Sequence, residues 1–240
     1  MTSYLINLDR DAERLRFQER QFAKLGLAFE RVSACHDDPG EFDRFRWWCA
    51  VLRPAVRGEI GCVRSHVRVL STMLARGEAV AAVFEDDVVL SGAAPRALAA
   101  AEAACRENPR RLVLLGDHRR AKAGEPLASA DAQVIVEPTV WDFCSEGYVI
   151  GAEAAANLVR VQSRVRTTAD AWGYYNHKGW VELARVTPPV SGQEVEAFES
   201  QVGVRYVVAG KGPAARCWWT LRRAVGMTLD CILDGGRRGW

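Results

Sequence analysis

Six consecutive apolar residues, Ala79-Val80-Ala81-Ala82-Val83-Phe84, run without a break into Glu85-Asp86-Asp87. An apolar run of that length suits a central strand covered on both faces, as in a parallel sheet. Ligands of open α/β sheets gather beyond the carboxyl ends of the strands. The three carboxylates therefore fall where such a protein binds its ligand. Like charges packed together repel unless a cation offsets them. A hard divalent ion, Mn2+ or Mg2+, prefers carboxylate oxygen and leaves positions for phosphate and water. Neighbouring strand residues point to opposite faces, so the three carboxylates do not converge easily on one ion. Asp87 is the favoured ligand, with Asp86 or Glu85 partnering it through water or a ribose. A solvated acidic turn is the competing reading.

The flanking segments fill in the same class. Tyr4 to Leu8 reads as a buried strand that stops at Asp9-Arg10-Asp11, and 11–25 as a surface helix ending at Gly26. Residues 27–32 form a second strand candidate. Gly58-Glu59-Ile60-Gly61 reads as a turn into a helix over 62–75, with Val63, Val67, Leu70 and Leu74 as its apolar face. Further helices are expected at 94–105 and 152–162, with strands at 111–115, 147–150 and 180–186. Residues 116–138 read as a long polar loop. This alternation predicts an α/β domain with a mainly parallel central sheet over 1–205, and a tail over 206–240.

Charge and cysteine content narrow the function classes. A formal net charge of +2 over 240 residues excludes a protein that coats nucleic acid. Seven cysteines at scattered positions, with no C-x-x-C pair, argue against a zinc framework or a disulfide scaffold. No signal-peptide pattern and no apolar stretch long enough to span a bilayer are visible, so a cytoplasmic protein is expected.

Several blocks together resemble glycosyltransferase family 25, the lipopolysaccharide and lipooligosaccharide sugar transferases. They are Ile6-Asn7-Leu8-Asp9-Arg10 with Glu13-Arg14, Phe29-Glu30-Arg31-Val32 with Ala34, and Gly58-Glu59-Ile60-Gly61-Cys62 with Ser65-His66. Phe84-Glu85-Asp86-Asp87-Val88, Gly147-Tyr148-Val149-Ile150, and Pro188-Pro189-Val190 with Gln193 complete the set, in order, over roughly residues 3–195. Ala34-Cys35-His36-Asp37 and Trp141-Asp142-Phe143-Cys144-Ser145 depart from the usual pattern. The resemblance implies a GT-A-like fold and transfer of a hexose, galactose or glucose, from a UDP-sugar with inversion. It also implies a glycan or lipid-linked glycan acceptor.

That chemistry needs an anchor for a cation, a base and charge near the sugar. The leaving diphosphate gains negative charge, which a divalent ion neutralises. An acceptor hydroxyl loses its proton to a carboxylate, and an oxocarbenium-like sugar favours nearby negative charge. Asp170, in a polar segment beside Trp172, is the candidate base, and Glu146 is its rival. An N-cap role for Asp170 is the alternative. Asn7, Arg10 and Arg14 are candidates for nucleotide contacts, with Glu85 and Asp86. Ser65 and His66 are expected in the first turn of a helix, whose N-terminus favours anions. His177 is a weaker metal or phosphate candidate. Phe42, Phe45, Trp47 and Trp48 line either an acceptor site or a core.

Two other classes compete. A Mg2+-dependent phosphoryl-transfer enzyme would use the same carboxylates but would draw acidic ligands from several strands. A carbohydrate-binding module would use the Trp-rich patch and leave the acidic run idle. No G-x-G-x-x-G follows the first strand and no G-x-S-x-G occurs. The near-neutral total also conceals an asymmetry. Residues 211–240 hold six basic side chains against Asp230 and Asp234, interleaved with Trp218, Trp219 and aliphatics. A basic, aromatic tail suits the face of an anionic membrane, which would make the protein peripheral on the inner face of the cytoplasmic membrane. A helix packed on the core is the alternative.

Overall fold

The structure, a computed structural model, describes residues 1–35, 42–44, 47, 51, 55–117, 127, 133–136 and 145–193. Nine strands and five helices lie among them. In chain order they are β1 (Thr2–Asn7), α1 (Ala12–Lys24), β2 (Glu30–Ser33), α2 (Arg57–Ala75), β3 (Val80–Glu85) and β4 (Val88–Leu90). Then follow α3 (Ala94–Glu107), β5 (Arg111–Leu114), β6 (Gln133–Val136), β7 (Gly147–Gly151), α4 (Ala152–Val161), α5 (Trp172–His177), β8 (Glu182–Thr187) and β9 (Ser191–Gln193).

Seven strands form one sheet in the order β2-β1-β3-β7-β5-β8-β6. Strands β1, β2, β3, β5 and β8 run the same way, while β7 and β6 run against them. The α/β class and the mainly parallel sheet are those the sequence predicts. Strand β3, the apolar run, lies third in the order between β1 and β7 and is buried from Val80 to Phe84.

Alternation sorts the side chains of β3 between two cores. Ala81 and Val83 join Tyr4, Ile6, Leu114 and Tyr148 beneath α2, α4 and α5, with Val69, Met73, Leu158 and Trp172. Ala82 and Phe84 face the other way, onto Phe22 of α1 and Ala97, Leu98 and Ala101 of α3. A fully buried side chain of this kind contributes about 1.5–3 kcal/mol relative to exposure, so both faces hold the strand firmly.

Three differences from the sequence reading bear on the site. Helix α2 starts at Arg57, not Cys62. Val56 is extended before it, and Glu59 Oε2 accepts a hydrogen bond from the Val56 N–H at 3.1 Å. That closes the first turn, which contains Gly58. Within the expected polar loop, Gln133–Val136 forms β6 on the sheet edge, antiparallel to β8. Strands β4 and β9 pair antiparallel as a separate ribbon, with Val88 opposite Gln193 and Leu90 opposite Ser191. Phe45, Trp48 and the tail over 206–240 lie outside the described residues.

Candidate active site

The carboxyl ends of β1 and β3 and the start of β7 meet at one edge of the sheet. Ile6 is level with Glu85, and Phe84 with Gly147. The Glu85 N–H donates to the Glu146 carbonyl at 3.0 Å. Beyond that edge the chain turns through Asp86-Asp87 into β4.

Glu85 and Asp86 diverge to opposite faces, as alternation requires. Asp86 goes to α1, where Arg14 donates to its Oδ1 at 2.7 Å and Asn7 Nδ2 to its Oδ2 at 2.8 Å. Gln18, wholly buried, donates to the carbonyls of Asp86 and Val88 at 3.0 and 2.8 Å. Gln21 adds a bond to the Val88 carbonyl and accepts from the Leu90 N–H. Arg14, Gln18 and Gln21 are spaced to share one helix face, and that face clamps the acidic turn. Burial pushes the Asp86 carboxyl above its ordinary value, and Arg14 and Asn7 pull it back. Removing one partner of a buried ion pair costs about 3–5 kcal/mol.

Four of the expected ligand-binding side chains have partners within the protein. Asn7 spends its amide on Asp86 and the Asp11 carbonyl, and its Oδ1 accepts from Arg31 Nε at 2.9 Å. Arg14 is buried against Asp86. Asp86, with both oxygens engaged, frames the turn. Ser65 Oγ donates to the Gly61 carbonyl at 2.7 Å and accepts from the Cys35 N–H at 2.8 Å, so it ties the chain after β2 to α2. Both Ser65 and His66 lie well inside α2, past its N-terminal turn, so the helix terminus does not aim them at an anion.

His66 instead serves Glu85. Its Nε2 lies 3.2 Å from Glu85 Oε1 and its Nδ1 2.9 Å from the Tyr148 hydroxyl. Tyr148 is fully buried, and burial raises its pKa well above the ordinary value, so it keeps its proton. A Tyr148 hydroxyl that donates to His66 Nδ1 leaves the imidazole hydrogen on Nε2, facing Glu85. Glu85 is thereby held toward α2.

Asp87 has a different environment. Its Oδ1 is buried and has no hydrogen-bond partner. Burial, with the charges of Glu85 and Asp86, raises its pKa to about 7, against the weaker pull of Arg14. An orphaned, desolvated carboxylate oxygen beside two like charges is the donor chemistry that a hard divalent cation satisfies. The residues present fit such an ion.

Glu146 is buried just ahead of β7, its Oε1 in the space that a Cβ on Gly116 would fill. Asp170 precedes α5, on the side of the sheet that carries Glu85. Ala171 occupies the N-cap position of α5, one residue after Asp170. Its charge contributes to the raised pKa of Tyr175. Trp172, beside Asp170, is 1% exposed and packs on Tyr148 and Tyr175. Trp47 is likewise core, against Val63 and Val165. Arg10 is exposed in the turn after β1, and His177 is exposed at the end of α5.

Sequence reasoning missed Gln18, Arg31, Tyr148 and the Asp117–Arg185 pair. That pair is buried at 2.9 Å at the same sheet edge. Strand β9 braces the acidic turn from outside through β4, and Val190 and Ser191 bond the Leu115 carbonyl. The Pro188-to-Gln193 block therefore links the end of β5 to the acidic turn.

No curated protein matches this chain. Among solved structures it is similar to a glycosyltransferase involved in the glycosylation of the major capsid of PBCV-1. Identity is 8% and the TM-score 0.34, over 68% of this chain and 64% of that one. This chain thus spans less than two thirds of that protein's length. A family model described as glycosyltransferase family 25 (LPS biosynthesis protein) matches residues 1–172. The matched span contains α1, the Gly58–His66 block, the acidic turn and Glu146, and on that match the chain belongs to glycosyltransferase family 25.

Proposed function

We propose that the protein is a GT-A-type hexosyltransferase that moves galactose or glucose from a UDP-sugar to a hydroxyl of a surface glycan such as lipooligosaccharide, with inversion. The observation that carries this reading is the orphaned Asp87 Oδ1 at the carboxyl edge of the sheet, in a turn clamped by α1. The family's description supports the glycan class of acceptor.

Asp87 would hold a divalent cation, Mn2+ or Mg2+, with Glu85 alongside. Such an ion supplies Lewis-acid neutralisation of the leaving diphosphate. Arg14, Asn7 and Gln18 keep the turn in place, so its order is present before the donor arrives. Arg10, exposed after β1, offers a guanidinium to phosphate oxygens. Asp170 accepts the proton of the attacking hydroxyl as general base, with Glu146 as the rival for that role.

The test of the base separates chemistry from binding. Asp170→Asn should lower kcat by about 10²-fold or more while the UDP-sugar still binds with wild-type affinity. An unchanged kcat removes Asp170 from the chemistry and leaves Glu146. Comparing UDP release from UDP-galactose and UDP-glucose then identifies the donor.

A further inference from the structure

We propose that Cys62, His66 and Glu85 form a second divalent-cation site, selective for a thiophilic ion of the zinc class. Cys62 and His66 are one turn apart on α2, on the same face. Glu85 ends β3 directly opposite them. The Sγ, imidazole nitrogen and carboxylate oxygen all lie within 4.8 Å of one another. The His66 Nε2 to Glu85 Oε1 separation is 3.2 Å. Two ligands of a tetrahedral ion with bonds of about 2.0 Å are ~3.3 Å apart, so this edge already has the right span. A side-chain rotation of the half-buried Cys62 brings in the third ligand.

The imidazole is prepared for the task. Tyr148 holds Nδ1 at 2.9 Å, and its ring stacks on His66 with centroids 5.7 Å apart. Metal-ligating histidines are oriented through their second nitrogen in this way. When the ion binds, the Cys62 thiol gives its proton to solvent. The imidazole hydrogen passes from Nε2 to Nδ1, and the Tyr148 hydroxyl rotates so that its own hydrogen turns away and its oxygen accepts from Nδ1. His66 stays neutral and presents a lone pair at Nε2. Three protein ligands leave one open position.

Ligand softness separates this site from Asp87. Thiolate and imidazole select zinc-class ions, whereas the carboxylates of Asp87 and its neighbours Glu85 and Asp86 suit Mg2+ or Mn2+. Glu85 belongs to both neighbourhoods. A thiophilic ion would fix its carboxylate toward α2, so Zn2+ should inhibit transfer even at saturating Mn2+. That consequence rests on the proposed transferase function, while binding itself does not.

Cobalt spectroscopy reads the site without any turnover. The full chain, reduced and stripped of metal, is titrated with Co2+. The expected result is a near-ultraviolet thiolate-to-cobalt band that saturates at one ion per chain. Cys62→Ser should abolish the band, and Tyr148→Phe should weaken Co2+ binding about 10-fold. Asp87→Asn should leave the band intact, which distinguishes this site from the donor's ion. Absence of a thiolate band in the wild type, or a band that survives Cys62→Ser, overturns the proposal.

Discussion

Asp86 and Asp87 are neighbours with the same side chain and opposite fates. Asp86 is buried against a guanidinium and an amide, while Asp87 has a buried oxygen with nothing to meet it. The consequence for stability follows from linkage. A carboxyl at about 7 in the folded chain and near 3.8 unfolded binds more protons folded than unfolded between those values. Stability therefore falls as pH rises from about 4 to about 7, and the loss is complete above that. Each pKa unit corresponds to ~1.4 kcal/mol, which puts the loss on the order of 2–4 kcal/mol for the metal-free protein. Asp87→Asn should then be more stable than wild type in urea at pH 8 and equal to it at pH 4. A difference that does not change with pH would contradict the assignment. The alternation rule correctly sends Glu85 and Asp86 to different faces. It does not say what waits there. Arg14, Gln18 and Gln21 look like the wet face of a surface helix, because polar residues at that spacing are the same pattern whether they meet water or a buried carboxylate.

The helices and strands were legible to the degree that their apolar runs were uninterrupted. Strand β3 and helix α4 come out where the periodicity puts them, and α3 is extended at its end. Helix α2 starts earlier than its sequence suggests, because Gly58 and Gly61 read as a turn. The Glu59 bond to the Val56 N–H holds the first turn in spite of them. Strands β4, β6 and β9 are too short to announce themselves, and pairing alone makes them strands. The junction of β7 with α4 shows how tightly the elements are joined. A Cβ on Gly151 would sit 2.4 Å from the Pro109 carbonyl oxygen and 2.8 Å from its carbon, all backbone. Gly151→Ala should cost about 1–3 kcal/mol of stability. Gly92→Ala, with nothing within 4 Å of its Cβ, should stay within ~0.5 kcal/mol of wild type. Chemical denaturation of both variants checks the pair, and equal effects would contradict the packing described.

At the scale of the molecule, the sheet sets the site and the charge distribution sets its surroundings. No helix among the described residues is long and apolar enough to cross a membrane. The basic, Trp-containing tail over 206–240 remains our proposal for contact with an anionic bilayer, where a lipid-linked acceptor would be found. Full-length protein should sediment with anionic vesicles and a version ending at Gly210 should not. Equal sedimentation would remove the tail's role. At the other end of the chemistry, the acidic turn is proposed to anchor a nucleotide through a cation at Asp87. Calorimetry with UDP, with and without Mn2+, tests it most directly. UDP should bind, bind more tightly in Mn2+, and lose that gain in Asp87→Ala. No UDP binding, or the same affinity in Mn2+ for Asp87→Ala and wild type, would contradict it.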